Sequence, residues 1–133
     1  MYNKIVRYNM ISRTEIISTL EQCDSVVFAY LFGSYAKGNV TYKSDVDIAV
    51  YMKDEFNNFD SKLQLHHQLQ KKFGCEVDLI ILNKVKNFDL LEDIFREGFV
   101  IKDSDNDQRV MFELYKEHEI LDYKVFKKSI DAA

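Results

Sequence analysis

Proline is absent from this 133-residue sequence and glycine occurs only four times, so no run of turn-forming residues is long enough to link two domains. No low-complexity tract or internal repeat interrupts the chain either. At this length residues 1–133 are expected to form a single domain, large enough to bury a core without disulfides. Cysteine is equally scarce. Cys23 and Cys75 are the two present; they lack metal-ligand spacing and are expected to be free thiols of a reduced compartment, with no catalytic role. No stretch approaches the roughly 18 consecutive apolar residues that suggest a membrane span, and no charged start followed by an apolar region marks a signal peptide. The expected location is the cytoplasm, with no membrane partner. An excess of positive charge is missing as well: 18 Lys and Arg against 22 Asp and Glu give a net charge of −4. The basic residues are scattered, so direct nucleic-acid binding is not expected and any phosphate chemistry must be local.

What the sequence does contain is an alternation of helical and strand-like segments. Ser12 to Cys23 opens with Ser12 and places Glu15 three residues later, a capping-box spacing, with Ile16, Ile17 and Leu20 following at helical intervals. Val26 to Phe32 is continuously apolar, as expected of a central strand covered on both faces, and it runs directly into Gly33-Ser34. Tyr35 to Lys37 fits a short helical turn closed by Gly38, and Asn39 to Ser44 reads as a polar loop. Asp45 to Met52 reads as a second strand. Phe56 to Phe73 reads as a helix stopped by Gly74, with Phe59, Leu63, His66, Leu69 or Gln70, and Phe73 near one face. Val77 to Leu82 is a third apolar strand, Phe88 to Glu97 a short helix ended by Gly98, and Phe99 to Ile101 a small extra strand. From about Asp105 to Ile130 a longer helix carries Val110, Leu114, Leu121 and Val125 on one face, with Phe112, Tyr115, Tyr123 and Phe126 around the remainder; so wide an apolar surface could be core or partner site. The order predicts an α/β fold, a small mixed sheet flanked by helices and ending in a C-terminal helix.

The chemistry is concentrated between Gly33 and Val50, in GSYAKGNVTYKSDVDIAV. Alternate residues of a strand point to the same face, so Asp45 and Asp47 bring two carboxylates close together. They repel unless one is protonated or a cation lies between them, and Mg²⁺ is the oxygen-seeking ion that commonly gathers substrate phosphates as further ligands. Asp78 is the one charge inside VDLIIL, where an unpaired carboxylate would be costly. If its strand lies beside that of Asp47, three carboxylates make two Mg²⁺ ions plausible, with Asp78 placed to activate an attacking hydroxyl. Gly33 permits close backbone approach to a ligand, and the turn after it, with the Ser34 hydroxyl, suits phosphate oxygens. Singly, an Asp-x-Asp or a Gly-Ser is an ordinary turn element; their joint arrangement describes in-line attack on the α-phosphorus of a nucleoside triphosphate.

Gly33-Ser34 followed after ten residues by Asp45-Val46-Asp47 resembles the signature of the DNA polymerase beta-like nucleotidyltransferase superfamily, with Asp78 at the place of its third carboxylate. Together with the short length, FGSYAKGN, SDVDIAV, VDLIIL and REGFVI resemble the minimal nucleotidyltransferase (MNT) family over roughly residues 12 to 125. The resemblance implies ATP and Mg²⁺ as ligands, with Asp45, Asp47 and Asp78 holding metal and carrying catalysis. Gly33, Ser34 and Lys37 would bind the nucleotide. It also implies AMP transfer to a tyrosine hydroxyl of a cognate HEPN-domain RNase toxin, with this chain acting as antitoxin in a hetero-oligomer. Lys37 departs from the Arg of many relatives and lacks its planar fork. Two other readings stay open: transfer to a small hydroxylated acceptor such as an aminoglycoside, and an antitoxin that acts only by steric binding. Lys43, His67 and Glu76 are expected to be solvated or surface charges, and His66 a satisfied, partly buried side chain.

Overall fold

The computed structural model describes residues 10–132. Ser12 caps the first helix, α1 (Arg13–Glu21), its side chain accepting from the Glu15 amide, as the capping-box spacing requires. Strand β1 (Val26–Phe32) is buried throughout and leads into α2 (Ser34–Lys37), a single turn closed by Gly38 in the left-handed region. Strand β2 is Val46–Met52. Asp45 therefore lies one residue before the strand, a correction to the expected start; the β2–β3 pairing begins where the Val46 amide donates to Glu76 O.

A 3₁₀ turn, Asp54–Phe56, precedes α3 (Phe59–Phe73), which starts three residues later than the sequence suggests because Asn58 supplies the cap and accepts from the Ser61 amide. The buried face of α3 is Leu65, Leu69 and Phe73; Phe59 and Leu63, expected on it, are 75% and 56% exposed. His66 is half-buried, as expected, and its Nε2 donates to Val77 O. Strand β3 (Val77–Ile81), helix α4 (Phe88–Glu97), strand β4 (Phe99–Asp103) and the long α5 (Asn106–Ala132) complete the described chain.

The four strands form one mixed sheet in the order β3-β2-β1-β4. β1 runs antiparallel to both neighbours, while β2 and β3 are parallel. Val26, Leu31, Ile48 and Val50 pack with Leu20 of α1 and Leu69 of α3 on one face. Phe28, Tyr30 and Ala49 pack with Leu91 and Ile94 of α4 and Ile120 of α5 on the other. Helices thus cover both faces, and the buried apolar area between the three layers supplies the main stabilising term.

The last helix departs most from expectation. Val110, Leu114, Leu121 and Val125, which share one face by periodicity, are exposed. The face turned to the sheet carries Phe112, which meets the rings of Phe28, Tyr51 and Phe95. Alongside, Arg109 bonds Asp103 and Glu113, and Glu113 accepts from the Tyr30 hydroxyl at 2.7 Å. Large aromatic area and a linked polar cluster outweigh an aliphatic stripe of similar period.

Candidate functional site

The strand directions bring the C-terminal end of β1 and the N-terminal ends of β2 and β3 to one edge of the sheet. Phe32, the last residue of β1, is paired with Asp47, and Asp47 is paired on its other side with Asp78. Two carboxylates 31 positions apart in sequence are thereby direct cross-strand neighbours, on the same face of the sheet. Asp45 has the same alternation as Asp47 and stands just outside the ladder, exposed.

Asp47 is the half-buried member. Burial raises its pKa from the usual carboxylate value to about 6, and the negative charges of Asp78 and Asp45, with a hydrogen bond to Asp78, push in the same direction. Neighbouring carboxylates relieve their repulsion by protonation or by a cation, and the donors here are all oxygen, the chemistry of a hard divalent ion. Among the described residues no three His, Cys, Asp or Glu side chains form a ready-made metal cluster. The structure therefore shows a carboxylate pair with a third acid nearby, and the donor set fits Mg²⁺ in kind.

Gly33 sits against this pair. Its φ is +69°, a conformation that L side chains rarely adopt. A Cβ built there would lie 2.0 Å from Asp47 Oδ2, so the backbone after β1 is pressed directly onto the acidic site. Glycine is required here by conformation and by space. The Gly33 carbonyl then accepts from the amides of Ala36 and Lys37 at 3.1 and 3.0 Å, setting Ser34 at the start of the turn beside the carboxylates.

Lys37 lies at the end of that turn and pairs with Glu97 of α4 at 3.1 Å. The structure therefore places its ammonium with a carboxylate outside the aspartate group. Lys43, in the loop before Asp45, lies over the Tyr42 ring and is exposed. His67 is also exposed.

One positioning residue escaped the sequence. Arg13, the first residue of α1, donates from Nε to Tyr35 O at 2.8 Å and from its terminal nitrogen to Ala36 O at 3.0 Å, with its guanidinium over the Phe99 ring. It ties the turn carrying Ser34 to α1 and β4 at once. A lone Arg behind a capping serine gives no local signal of contacts that span more than twenty residues.

A Shewanella oneidensis protein named protein adenylyltransferase MntA is 33% identical over 69 residues, 52% of this chain and 48% of its own length. A Methanocaldococcus jannaschii protein, provisionally named a protein adenylyltransferase, is 41% identical over 58 residues, 43% of this chain and 58% of its own length. The chain thus spans about half the length of these relatives. Among solved structures, one described as a toxin–antitoxin with AMP-PNP superposes with a TM-score of 0.74 at 23% identity, covering 92% of this chain and 97% of that one. Another, a tri-AMPylated Shewanella oneidensis HEPN toxin in complex with MNT antitoxin, gives 0.66 at 20% identity over 90% and 92%. At such identities the structural likeness establishes the fold. Residues 14–107, which include the Gly33-Ser34 turn and all three aspartates, match the family described as polymerase beta, nucleotidyltransferase, and the chain belongs to that family.

Proposed function

We propose that this chain transfers AMP from ATP to a tyrosine hydroxyl of a HEPN-domain RNase, and that it acts as the antitoxin of that toxin in a cytoplasmic hetero-oligomer. The observation that carries the reading is the cross-strand pairing of Asp47 with Asp78 against the Gly33 turn. The names of the relatives and of the structural neighbours point the same way.

In this reading Asp45, Asp47 and Asp78 hold Mg²⁺, which supplies charge neutralisation of the triphosphate and of the attacking oxygen. Gly33 and Ser34 hold phosphate oxygens by close backbone approach and the Ser34 hydroxyl. Arg13 keeps that turn in place. Lys37 reaches the nucleotide only by leaving Glu97, so its contribution is conditional on that exchange. The tyrosine oxygen forms a bond to the α-phosphorus, the bond to the pyrophosphate oxygen breaks, and Asp78, exposed at the mouth of the site, takes the hydroxyl proton.

The test uses the purified chain with ATP, Mg²⁺ and its cognate HEPN-domain protein. The HEPN protein should gain the mass of an AMP unit, with pyrophosphate released. Asp45→Asn combined with Asp47→Asn should abolish both signals while the two proteins still bind. No mass gain on a folded HEPN partner overturns the reading. Neutralisation that survives the double substitution assigns the antitoxin effect to binding alone.

A further inference from the structure

Among the described residues β3 is an edge strand, and the direction of its backbone groups can be read from its bonds to β2. Glu76 O accepts from the Val46 amide and the Leu82 amide donates to Val50 O. Even-numbered residues of β3 therefore turn their amides and carbonyls toward β2, and odd-numbered ones turn them outward. At Val77 the outward groups are covered by α3, with the amide donating to Gln70 Oε1 and the carbonyl accepting from His66 Nε2. Among the described residues nothing pairs with the outward amide and carbonyl of Leu79 or Ile81. Two donor–acceptor pairs thus face out in the spacing of a β-ladder.

Beside this open edge lies a groove of about 330 Å³ lined by Phe59, Leu63 and His66 of α3 and by Asp78, Leu79 and Ile81 of β3. Its size falls at the lower end of the roughly 300–1,000 Å³ range of ligand pockets. Phe59 and Leu63, which leave the α3 packing face, form its apolar wall. The groove and the acidic site lie on the two sides of the β3 edge and meet at Asp78, which lines the groove and pairs with Asp47. Side chains alternate across the sheet, so Leu79 and Ile81 face the groove while Asp78 and Ile80 face the side that holds Asp47.

We infer that the β3 edge is the acceptor-binding half of the site, taking an extended segment of the partner protein as an added strand that sets its hydroxyl residue beside Asp78. The occupant follows from the chemistry. Paired backbone donors and acceptors at strand spacing are satisfied by an extended peptide, and an apolar groove one step along accepts its neighbouring side chains. The alternation also specifies a pattern: the acceptor tyrosine lies on the Asp78 side, and the residues immediately before or after it are apolar and enter the groove between Phe59 and Leu63. A small hydroxylated acceptor would leave the Leu79 and Ile81 groups unused. The inference rests on the adenylyltransferase reading for its chemistry, and its geometry can be measured separately.

Amide hydrogen exchange followed by NMR provides the measurement, using the full chain alone and with the cognate HEPN protein. In the free chain the amides of Ile80 and Leu82 should be protected and those of Leu79 and Ile81 should exchange quickly. On adding the HEPN protein, Leu79 and Ile81 should become protected, giving an alternating change along one strand. Leu63→Glu, at an exposed position outside the acidic site, should raise the KM for the HEPN acceptor about tenfold or more while leaving ATP binding unchanged. AMP transfer that proceeds with Leu79 and Ile81 unprotected, and with Leu63→Glu neutral, overturns the edge and leaves the proposed reaction standing. Protection of both amides without AMP transfer supports the edge and overturns the reaction. Protection that grows with concentration in the chain alone assigns the edge to a second copy and overturns the inference.

Discussion

At the scale of a single residue, Asp47 meets opposed demands from the fold and from the proposed function. It is half-buried between Phe32 and Asp78 in the sheet, under a glycine with no room for a Cβ, and its carboxyl is pushed up to about 6, by burial first and then by its acidic neighbours. A carboxyl whose folded pKa lies above its unfolded value binds its proton more tightly in the native state. Its contribution to stability is therefore favourable at low pH and is lost as pH rises through the range ending near 6. Above that, the ionised group opposes folding. Asp47→Asn keeps the shape and removes the charge, so in buffer containing a chelator at pH 7.5 it should raise the urea midpoint of unfolding. The gain should shrink as pH falls from 6 toward 4, where Asp47 itself is protonated. On the proposed reaction, the same substitution should eliminate AMP transfer. A midpoint that is lower at pH 7.5 and insensitive to pH would contradict the buried like-charge account.

The turn α2 is an element that its own residues cannot hold. Four residues form too short a helix to be stable alone, and the capping comes from elsewhere: Arg13 binds two of its carbonyls. Charged, part-buried hydrogen bonds of this kind contribute on the order of 1.5–3 kcal/mol each. Arg13→Ala should therefore loosen the turn and raise the KM for ATP about tenfold or more. The ladder pairing of Asp47 with Asp78 should persist, so kcat should fall less than the KM rises. A steady-state titration with ATP at fixed partner concentration separates the two effects, and an unchanged KM would place the turn's rigidity elsewhere. The same element shows what the sequence makes visible. Gly33, Ser34 and Gly38 announce a tight turn after an apolar strand because their conformational needs are local. So does the Asp45, Asp47 alternation, and strand β1 appears with the expected bounds because burial on both faces leaves a continuous apolar run. The neighbour relation of Asp47 and Asp78 requires the parallel pairing of β2 with β3, which a local pattern can only suggest. The Arg13 contacts leave no local trace at all, and the displaced start of β2 reflects a ladder bond made by Glu76, thirty residues away.

At the scale of the whole molecule, α5 carries two apolar faces and the sheet takes only one. Phe112 and Ile120 join the aromatic layer over Phe28 and Tyr51, and Arg109 with Glu113 anchors the start of the helix to Asp103 and Tyr30. Tyr123 meets Phe88, and Lys124 pairs with Glu92 of α4. Beyond that point Val125 and Phe126 are 66% and 64% exposed. A period near 3.6 cannot distinguish two stripes on one helix, so it does not say which of them is core. If the contacts through Lys124 suffice to hold the helix, the apolar side chains after it contribute little to folding. The double substitution Val125→Glu with Phe126→Glu should then change the unfolding free energy of the chain by no more than about 0.5 kcal/mol per site, the ordinary range for exposed positions, with AMP transfer to the HEPN protein retained in full. A larger loss of stability, read by urea denaturation, would show that this end of α5 packs on the domain. Unchanged stability with weakened transfer would instead give the second face of α5 a part in holding the partner, in addition to the β3 edge.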